Sequence, residues 1–149
     1  MEKKYCYEYA RPALGTDVLL FSKESTGTYL LLIERGKEPY KGDWAFPGGF
    51  VEEGESCEQA AVRELWEETT LQLTALQQIG AFSRPGRDPR GWIVTVAFYA
   101  MVDRGKLFPQ AGDDAQNFQW FALPDLPKLA FDHREILDKA LDLLSITTS

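Results

Sequence analysis

The chain has 149 residues, and its 16 Lys or Arg against 23 Asp or Glu give a formal net charge of −7. This acidic balance argues against a nucleic-acid partner or an anionic membrane, because both need a basic surface to displace counterions. Hydrophobic residues make up 44% of the chain, which suffices for the core of a single domain, and we expect that domain to span residues 1–149.

The sequence contains no segment that would mark export or membrane insertion. Its apolar runs are far shorter than the roughly 20 residues that cross a bilayer, and the first residues lead into no apolar signal segment. Cys6 and Cys57 lie far apart and in no zinc-binding spacing. We therefore expect a cytoplasmic protein in a reducing compartment.

Two apolar runs near the N-terminus predict a buried β-hairpin. The runs are Asp17–Phe21 and Tyr29–Ile33, and the polar stretch Ser22–Thr28 separates them. The following segment, Arg35–Phe50, is rich in glycine and proline and is therefore predicted to be a loop.

Capping signals mark the start of two predicted helices. Ser56 and Gln59 fit a capping box, and this helix runs to about Thr69. Asp132 and Glu135 fit a second capping box. The other elements are, in chain order, a strand at Leu76–Phe82, a charged loop at Ser83–Gly91, strands at Trp92–Val102 and Phe118–Leu123, and an amphipathic helix that ends near Leu144. Because the strands and helices follow no regular βαβ order, we predict an α+β class or a three-layer α/β/α sandwich around a mixed sheet.

Three glutamates collect on one side of the first predicted helix. Glu64, Glu67 and Glu68 fall within an arc of about 100°, whereas Ala61 and Leu65 lie on a separate apolar face. Unpaired carboxylates at this spacing repel one another, and a divalent cation would remove that repulsion. Carboxylate oxygens suit hard ions, so we expect Mg²⁺ or Mn²⁺, with a polyphosphate substrate supplying further ligands.

Arg63 precedes the first of these glutamates, and the segment has two interpretations that differ in what Arg63 does. Its guanidinium could clamp a carboxylate bidentately and fix the helix to the preceding loop, with Glu55 or a neighbouring glutamate as the partner. The alternative is a solvated acidic helix face with Arg63 as a casual partner. The Gly-Gly pair and Glu55 before the helix favour the clamp, and Arg63 is therefore counted with the expected catalytic residues.

The segment Gly49–Leu71 resembles the Nudix box, G-x5-E-x7-R-E-U-x-E-E-x-G-U, in which U is apolar. The matching positions are Gly49, Glu55, Arg63, Glu64, Leu65, Glu67, Glu68 and Leu71. The resemblance implies a Nudix-type α/β/α sandwich and metal-assisted attack of water on a nucleoside diphosphate linked to another moiety. It also implies that Glu64, Glu67 and Glu68 are the metal-binding or base carboxylates, with the carbonyl of Gly48 as a further ligand.

Thr70 departs from the pattern, because it stands where the box has its second glycine. A residue just past a helix end often adopts a left-handed conformation, which costs a residue such as Thr roughly 1–2 kcal/mol. No ligand is lost by the change. We therefore expect Thr70 to affect stability rather than catalysis.

Segments outside the box resemble the ADP-ribose pyrophosphatase-like branch of the family and related ADP-ribose-sensing regulators. These segments are Phe82–Tyr99, Gly36–Gly48 and Leu129–His133. They are looser motifs than the box, but the box itself does not specify the substrate. The resemblance therefore implies ADP-ribose as the substrate class.

An arginine-rich loop in the first of these segments predicts substrate binding. Arg84, Arg87 and Arg90 give an otherwise acidic protein a local cationic loop that could meet phosphates or a terminal ribose phosphate. The alternative is a solvated turn fixed by Asp88.

Further residues are indicated less specifically. Trp44 could stack an adenine, although core packing explains such aromatic residues equally well. Asp113 and Asp114 lie in a glycine-containing loop from which an acidic residue could reach the metal site, although such pairs usually form turns. His133 is the sole histidine, and we expect it to be a structural side chain or a ligand contact rather than a general base.

These observations predict a metal-dependent hydrolase that converts ADP-ribose to AMP and ribose 5-phosphate. One alternative is hydrolysis of a nucleoside triphosphate or another sugar nucleotide. The alternative from a different class is a non-catalytic ADP-ribose sensor. Only five residues follow Leu144, so we expect no winged-helix domain of the kind that such regulators append, and the carboxylate set is complete. Both features favour the enzyme. Nudix relatives of this kind also imply a homodimer.

Overall fold

The computed structural model describes residues 4–110 and 115–148. In that part of the chain the strands and helices are, in order, β1 Ala13–Glu24, β2 Gly27–Arg35, β3 Trp44–Ala45, β4 Gly48–Phe50, α1 Cys57–Thr69, β5 Gln77–Phe82, β6 Ile93–Met101, β7 Ala115–Ala122 and α2 His133–Leu143. None of the helices in these ranges has the length and apolar content needed to cross a bilayer.

The seven strands of the described residues form one mixed sheet. Its main path is β3-β2-β1-β6-β5, while β4 pairs with β1 and β7 pairs with β2. The predicted hairpin is confirmed, since β1 and β2 pair antiparallel from Phe21↔Leu30 to Glu24↔Gly27. β1 and β6 run parallel, and the other pairings are antiparallel.

The prediction of an unbroken loop at Arg35–Phe50 is wrong in two places. Trp44–Ala45 pairs with β2, and Gly48–Phe50 pairs with β1. These strands are two and three residues long and have no periodic pattern of their own. They form because longer strands elsewhere in the chain offer free backbone groups for pairing.

The sheet separates two hydrophobic cores, so the predicted three-layer sandwich is confirmed. Successive side chains of a strand point to opposite faces. Val18 and Leu20 therefore pack in a cluster that includes buried residues of α1, whereas Leu19 and Phe21 pack with buried residues of α2. β1 lies in the middle of the sheet, between the two helices.

The predicted capping box at the start of α1 is confirmed. The hydroxyl of Ser56 accepts a hydrogen bond from the Gln59 N–H at 3.1 Å, and the Gln59 side chain accepts one from the Ser56 N–H at 2.8 Å. At the other end, Thr70 has φ 61° and ψ 9°, and its N–H donates to the Trp66 carbonyl. The left-handed conformation expected for Thr70 is therefore present.

We expect Thr70→Gly to raise the free energy of unfolding by about 0.5–1 kcal/mol, because glycine removes the Cβ strain but loses more backbone entropy on folding. Denaturant unfolding of the two proteins measures this difference. Thr70→Ala is the matched control, because it retains Cβ and should give no comparable gain. Equal stabilisation by both substitutions would contradict a conformational cause.

The second predicted capping box is wrong. Asp132 precedes α2 but makes no side-chain cap hydrogen bond. Its carboxylate instead accepts two hydrogen bonds from the guanidinium of Arg87, while Glu135 accepts one from Arg84. Charge-assisted bonds to arginine are stronger than a neutral cap bond, which explains why both carboxylates turn away from the helix terminus.

Candidate active site

A pocket of about 390 Å³ lies where α1, β1 and β4 meet. Its lining includes Glu64, Glu67 and Glu68 of α1 and Gly48 and Gly49 of β4. The structure therefore brings together the three carboxylates and the glycine pair that the sequence placed about 15–20 positions apart.

Gly48 allows a close approach to β1, and Gly49 allows a close approach to the Glu64 side chain of α1. A Cβ atom on Gly48 would lie 2.0 Å from the Thr16 carbonyl oxygen, and one on Gly49 would lie 2.5 Å from the Glu64 carboxyl group. At Gly48 the neighbouring atoms include the backbone of β1, so glycine is required there by space. At Gly49 the neighbouring atoms are the end of the Glu64 side chain, which would have to move to admit a Cβ.

Glu68 is the most deeply buried of the three carboxylates, with 8% of its surface exposed. Its Oε1 atom accepts a hydrogen bond of 2.9 Å from the Gly48 N–H. Burial raises the pKa of Glu68 well above its usual value, the Gly48 N–H opposes that rise, and the nearby charges of Glu64 and Asp17 add to it. The site thus holds a carboxylate whose charge is poorly compensated by the protein alone.

Glu64 and Glu67 are more exposed than Glu68. Burial raises the pKa of Glu64, although the guanidinium of Arg63 counteracts part of the effect. The Nη1 atom of Arg63 lies 2.8 Å from Glu64 and 3.2 Å from Glu67. The carboxylate face and the packed face expected from the helical wheel are therefore not fully separate, because Glu68 is buried together with the apolar residues of the helix.

The expected clamp between Arg63 and Glu55 is confirmed. Its Nε donates to Glu55 Oε2 at 2.6 Å and its Nη2 to Glu55 Oε1 at 2.9 Å. Nη2 also donates to the Phe50 carbonyl at 3.1 Å. These hydrogen bonds raise the pKa of Arg63 and lower that of Glu55. The guanidinium therefore stays charged and ties α1 to the loop that precedes it.

The donor set in the pocket suits a hard divalent cation. Among the residues that the structure describes, no three His, Cys, Asp or Glu side chains are arranged to hold a metal ion as they stand. Arg63 donates hydrogen bonds to Glu64 and Glu67, and the Gly48 N–H donates one to Glu68. The chemistry nevertheless fits, because three carboxylates crowd together with a buried charge that a cation would neutralise. If Glu64 and Glu67 turned to bind a cation, the two hydrogen bonds from Arg63 to Glu55 would still hold α1 to the preceding loop.

The predicted arginine loop has three different environments rather than one cationic surface. Arg84 pairs with Glu135 at the surface and does not line the pocket. Arg90 lines the pocket, and Asp88 accepts hydrogen bonds from its Nε and Nη2 atoms. The alternative interpretation, in which Asp88 fixes a turn, is therefore correct for the part of the loop that contains Arg90.

Arg87 is buried, which the expectation of a cationic loop did not foresee. Its Nε and Nη2 atoms donate to the two Asp132 oxygens at 2.8 and 2.6 Å, and its Nη1 donates to Thr95 Oγ1 at 2.8 Å. The side chain is 3% exposed. All three nitrogens are therefore engaged within the protein.

The family model described as NUDIX domain matches residues 11–140. The chain belongs to the Nudix family. The chain is 45% identical over 135 residues to the ADP-ribose pyrophosphatase of Methanocaldococcus jannaschii, which covers 91% of this chain and 76% of that protein. The predicted family, and with it the class of pyrophosphohydrolase, is therefore confirmed.

Other Nudix relatives include regulators. The chain is 34% identical to the ADPR responsive transcriptional repressor NtrR of Acinetobacter baylyi, and the match covers 95% of this chain but 58% of the repressor. The fold of this chain also matches that of the NUDIX domain of Shewanella oneidensis NrtR complexed with ADP ribose. The TM-score is 0.84, and the identity is 31% over 91% of this chain and 90% of that one.

The pocket also contains residues that the sequence analysis did not predict for the site, among them Arg35 and Phe131. Arg35 and Phe131 both line the pocket, and the Arg35 guanidinium lies 4.8 Å from the centre of the Phe131 ring. Arg90 lies 4.7 Å from the same ring and 5.0 Å from that of Phe50. Burial and the charge of Arg90 lower the pKa of Arg35. Arg35 is the last residue of β2, whereas the sequence pattern ended this strand at Ile33 and placed Arg35 in a loop.

The remaining predicted residues lie in different places. Trp44 packs against Phe121, with ring centres 4.9 Å apart, and does not line the pocket. Asp113 and Asp114 lie outside the described residues. His133 is buried and lines the pocket, in agreement with a structural or ligand-contact role.

Proposed function

We propose that this Nudix protein hydrolyses the diphosphate bond of ADP-ribose, with Mg²⁺ or Mn²⁺ bound by Glu64, Glu67, Glu68 and the carbonyl of Gly48. The observation that carries the proposal is the crowding of three glutamates, one of them buried, against a glycine pair in a single pocket. The 45% identity to an ADP-ribose pyrophosphatase supports the choice of substrate.

Each glutamate has a part in the proposed reaction. A bound divalent ion would neutralise the diphosphate and lower the pKa of a bound water. Glu64, Glu67 and Glu68 divide between them the binding of the ion and the removal of a proton from the attacking water. Arg63 keeps this face of α1 in place through Glu55.

The reaction balances with water as the only co-reactant. The water oxygen forms a bond to one phosphorus while the bridging P–O bond breaks, and the products are AMP and ribose 5-phosphate. Negative charge develops on the bridging oxygen as it leaves. Arg90 and Arg35 lie at the pocket wall, where their charges would stabilise phosphate oxygens. Arg84, Arg87 and Trp44 are weaker candidates for binding substrate, given the contacts described above.

The resemblance to Nudix relatives supports a homodimer, and two free cysteines support a cytoplasmic location. The net charge of −7 supports a small-molecule substrate rather than nucleic acid. Light scattering after gel filtration measures the oligomeric state, and a mass of one chain would contradict the dimer.

Hydrolysis of a substrate panel by the purified protein tests the function. We expect AMP release from ADP-ribose with Mg²⁺ or Mn²⁺, and little turnover of NADH, diadenosine polyphosphates, nucleoside triphosphates or other sugar nucleotides. Turnover of one of those compounds instead would retain the mechanism and change the substrate. Tight binding of ADP-ribose without AMP release would support a sensor, the second candidate, which the match to the NrtR domain favours.

A further inference from the structure

The sole histidine of the chain joins three segments around the pocket. His133 is the first residue of α2 and is 4% exposed. Its Nδ1 atom accepts a hydrogen bond of 3.2 Å from the Phe46 N–H, and its Nε2 atom lies 3.2 Å from Asp17 Oδ2. The imidazole also stacks on the Phe46 ring, with centres 4.5 Å apart and an interplanar angle of 12°.

This pattern of contacts fixes the tautomer of the ring. An atom that accepts a backbone N–H carries no proton of its own, so the remaining proton is on Nε2. Nε2 then donates to the Asp17 carboxylate. Both polar atoms of His133 are therefore satisfied, each by a different segment of the chain.

Both partners of His133 adjoin Gly48. Phe46 precedes Gly48 by two residues, and Asp17 is the residue directly opposite Gly48 in the β1–β4 ladder. The Pro47 carbonyl between them accepts a hydrogen bond from the Val18 N–H at 2.8 Å. The His133 ring thus binds the connector that leads into β4, through Phe46, and also β1, the strand that pairs with β4, through Asp17.

Gly48 in turn determines where Glu68 lies, through the 2.9 Å hydrogen bond from its N–H to Oε1. Gly48 also packs closely against Asp17, since a Cβ on Gly48 would lie 2.7 Å from Asp17 Oδ1. A shift of the connector would move the Gly48 amide, its carbonyl and the Glu68 carboxylate together.

We propose that His133 is a positioning residue of the hydrolytic site, which holds Gly48 and through it Glu68 in the geometry required to bind a divalent cation. The inference rests on the proposed function of that site. Phe46 and Asp17 engage both ring nitrogens of His133, so this role assigns the ring no contact with the cation or the reacting atoms. It corresponds to the outer groups of metal sites, whose loss lowers metal affinity about 10–100-fold.

Two substitutions that remove either both polar contacts of the ring or only one of them test this role. His133→Phe keeps a stacked ring and loses both polar contacts, whereas His133→Asn keeps an acceptor near the position of Nδ1. Leu141→Ala is the matched control, because Leu141 is buried in the same helix but lies about two turns from His133. Mn²⁺ binding without substrate, amide exchange at Gly48 and steady-state kinetics are measured for each full-length protein.

We expect His133→Phe to weaken Mn²⁺ binding and lower kcat by about tenfold or more, with little change in KM and faster amide exchange at Gly48. His133→Asn should recover most of the affinity, and Leu141→Ala should lose stability but keep wild-type Mn²⁺ binding. Should His133→Phe fail to fold, the His133→Asn protein decides, since it must bind Mn²⁺ within a few-fold of wild type and retain slow exchange at Gly48.

Three results would overturn the inference. Wild-type Mn²⁺ affinity in folded His133→Phe would show that the ring is only structural, and equal loss in Leu141→Ala would assign the effect to general destabilisation. Weak Mn²⁺ binding in both His133 variants would show that the retained contact with the Phe46 N–H does not hold Gly48 in place, against the proposed route from the ring to Glu68. Failure of the wild-type protein itself to bind Mn²⁺ would instead overturn the proposed metal site, whereas turnover of another nucleotide would change only the substrate.

Discussion

Glu68→Gln is expected to lower kcat for ADP-ribose hydrolysis by about 10²–10³-fold while leaving the protein folded. Gln keeps the oxygen that accepts the Gly48 N–H, so the connection between α1 and β4 survives. It removes the negative charge that would bind a cation or accept a proton from water. Steady-state kinetics at saturating Mg²⁺, compared with the wild type, measure the effect.

The stability of the same variant distinguishes a lost function from a damaged fold. Because the pKa of Glu68 is raised in the folded protein, its contribution to stability is complete below the usual value of 4.5 and is lost as the pH rises through the raised pKa. In EDTA, Glu68→Gln should therefore be more stable than the wild type. The difference in the free energy of unfolding should grow as the pH rises from about 5 to about 8, because Glu68 of the folded wild type loses its proton as the pH rises.

Glu58→Gln is the matched control for Glu68→Gln, since Glu58 lies in the first turn of the same helix and does not line the pocket. It should retain wild-type kcat. If folded Glu68→Gln protein kept near-normal turnover, the assigned site would be wrong. If it lost turnover together with its structure, circular dichroism would show the loss of the fold.

Arg87→Met is expected to lower the free energy of unfolding by about 3–5 kcal/mol, because it leaves the buried carboxylate of Asp132 without its partner. Both side chains are almost fully buried, at 3% and 6% exposure. Breaking such a pair costs more than the pair itself contributes, since an uncompensated charge remains in a site of low dielectric constant. Denaturant unfolding at neutral pH measures the loss.

A second substitution separates the buried charge from other causes. Arg87→Met combined with Asp132→Asn removes both charges and should recover a large part of the lost stability. Arg84→Met is the control, because the exposed pair of Arg84 with Glu135 should contribute at most about 1 kcal/mol. Wild-type stability of Arg87→Met together with a raised KM would instead assign Arg87 to substrate binding.

The sequence by itself determined the first helix and the residues it presents. Ser56 and Gln59 form the predicted capping box, and Glu64 and Glu68 of the predicted carboxylate face line the pocket. Interactions within a helix join residues three or four positions apart, so spacing along the chain is enough to predict them. The hairpin of β1 and β2 was predictable for a similar reason, because a short turn brings neighbouring apolar runs together.

Only the tertiary structure decided which arginines are free to meet a substrate and what holds the glycine pair. Arg87 meets Asp132 across 45 positions, and His133 meets Phe46 across 87. A local pattern could predict a capping box for Asp132 but could not weigh it against a distant guanidinium. Such partners are chosen by packing, because a buried charge must find an opposite charge wherever the folded chain brings one.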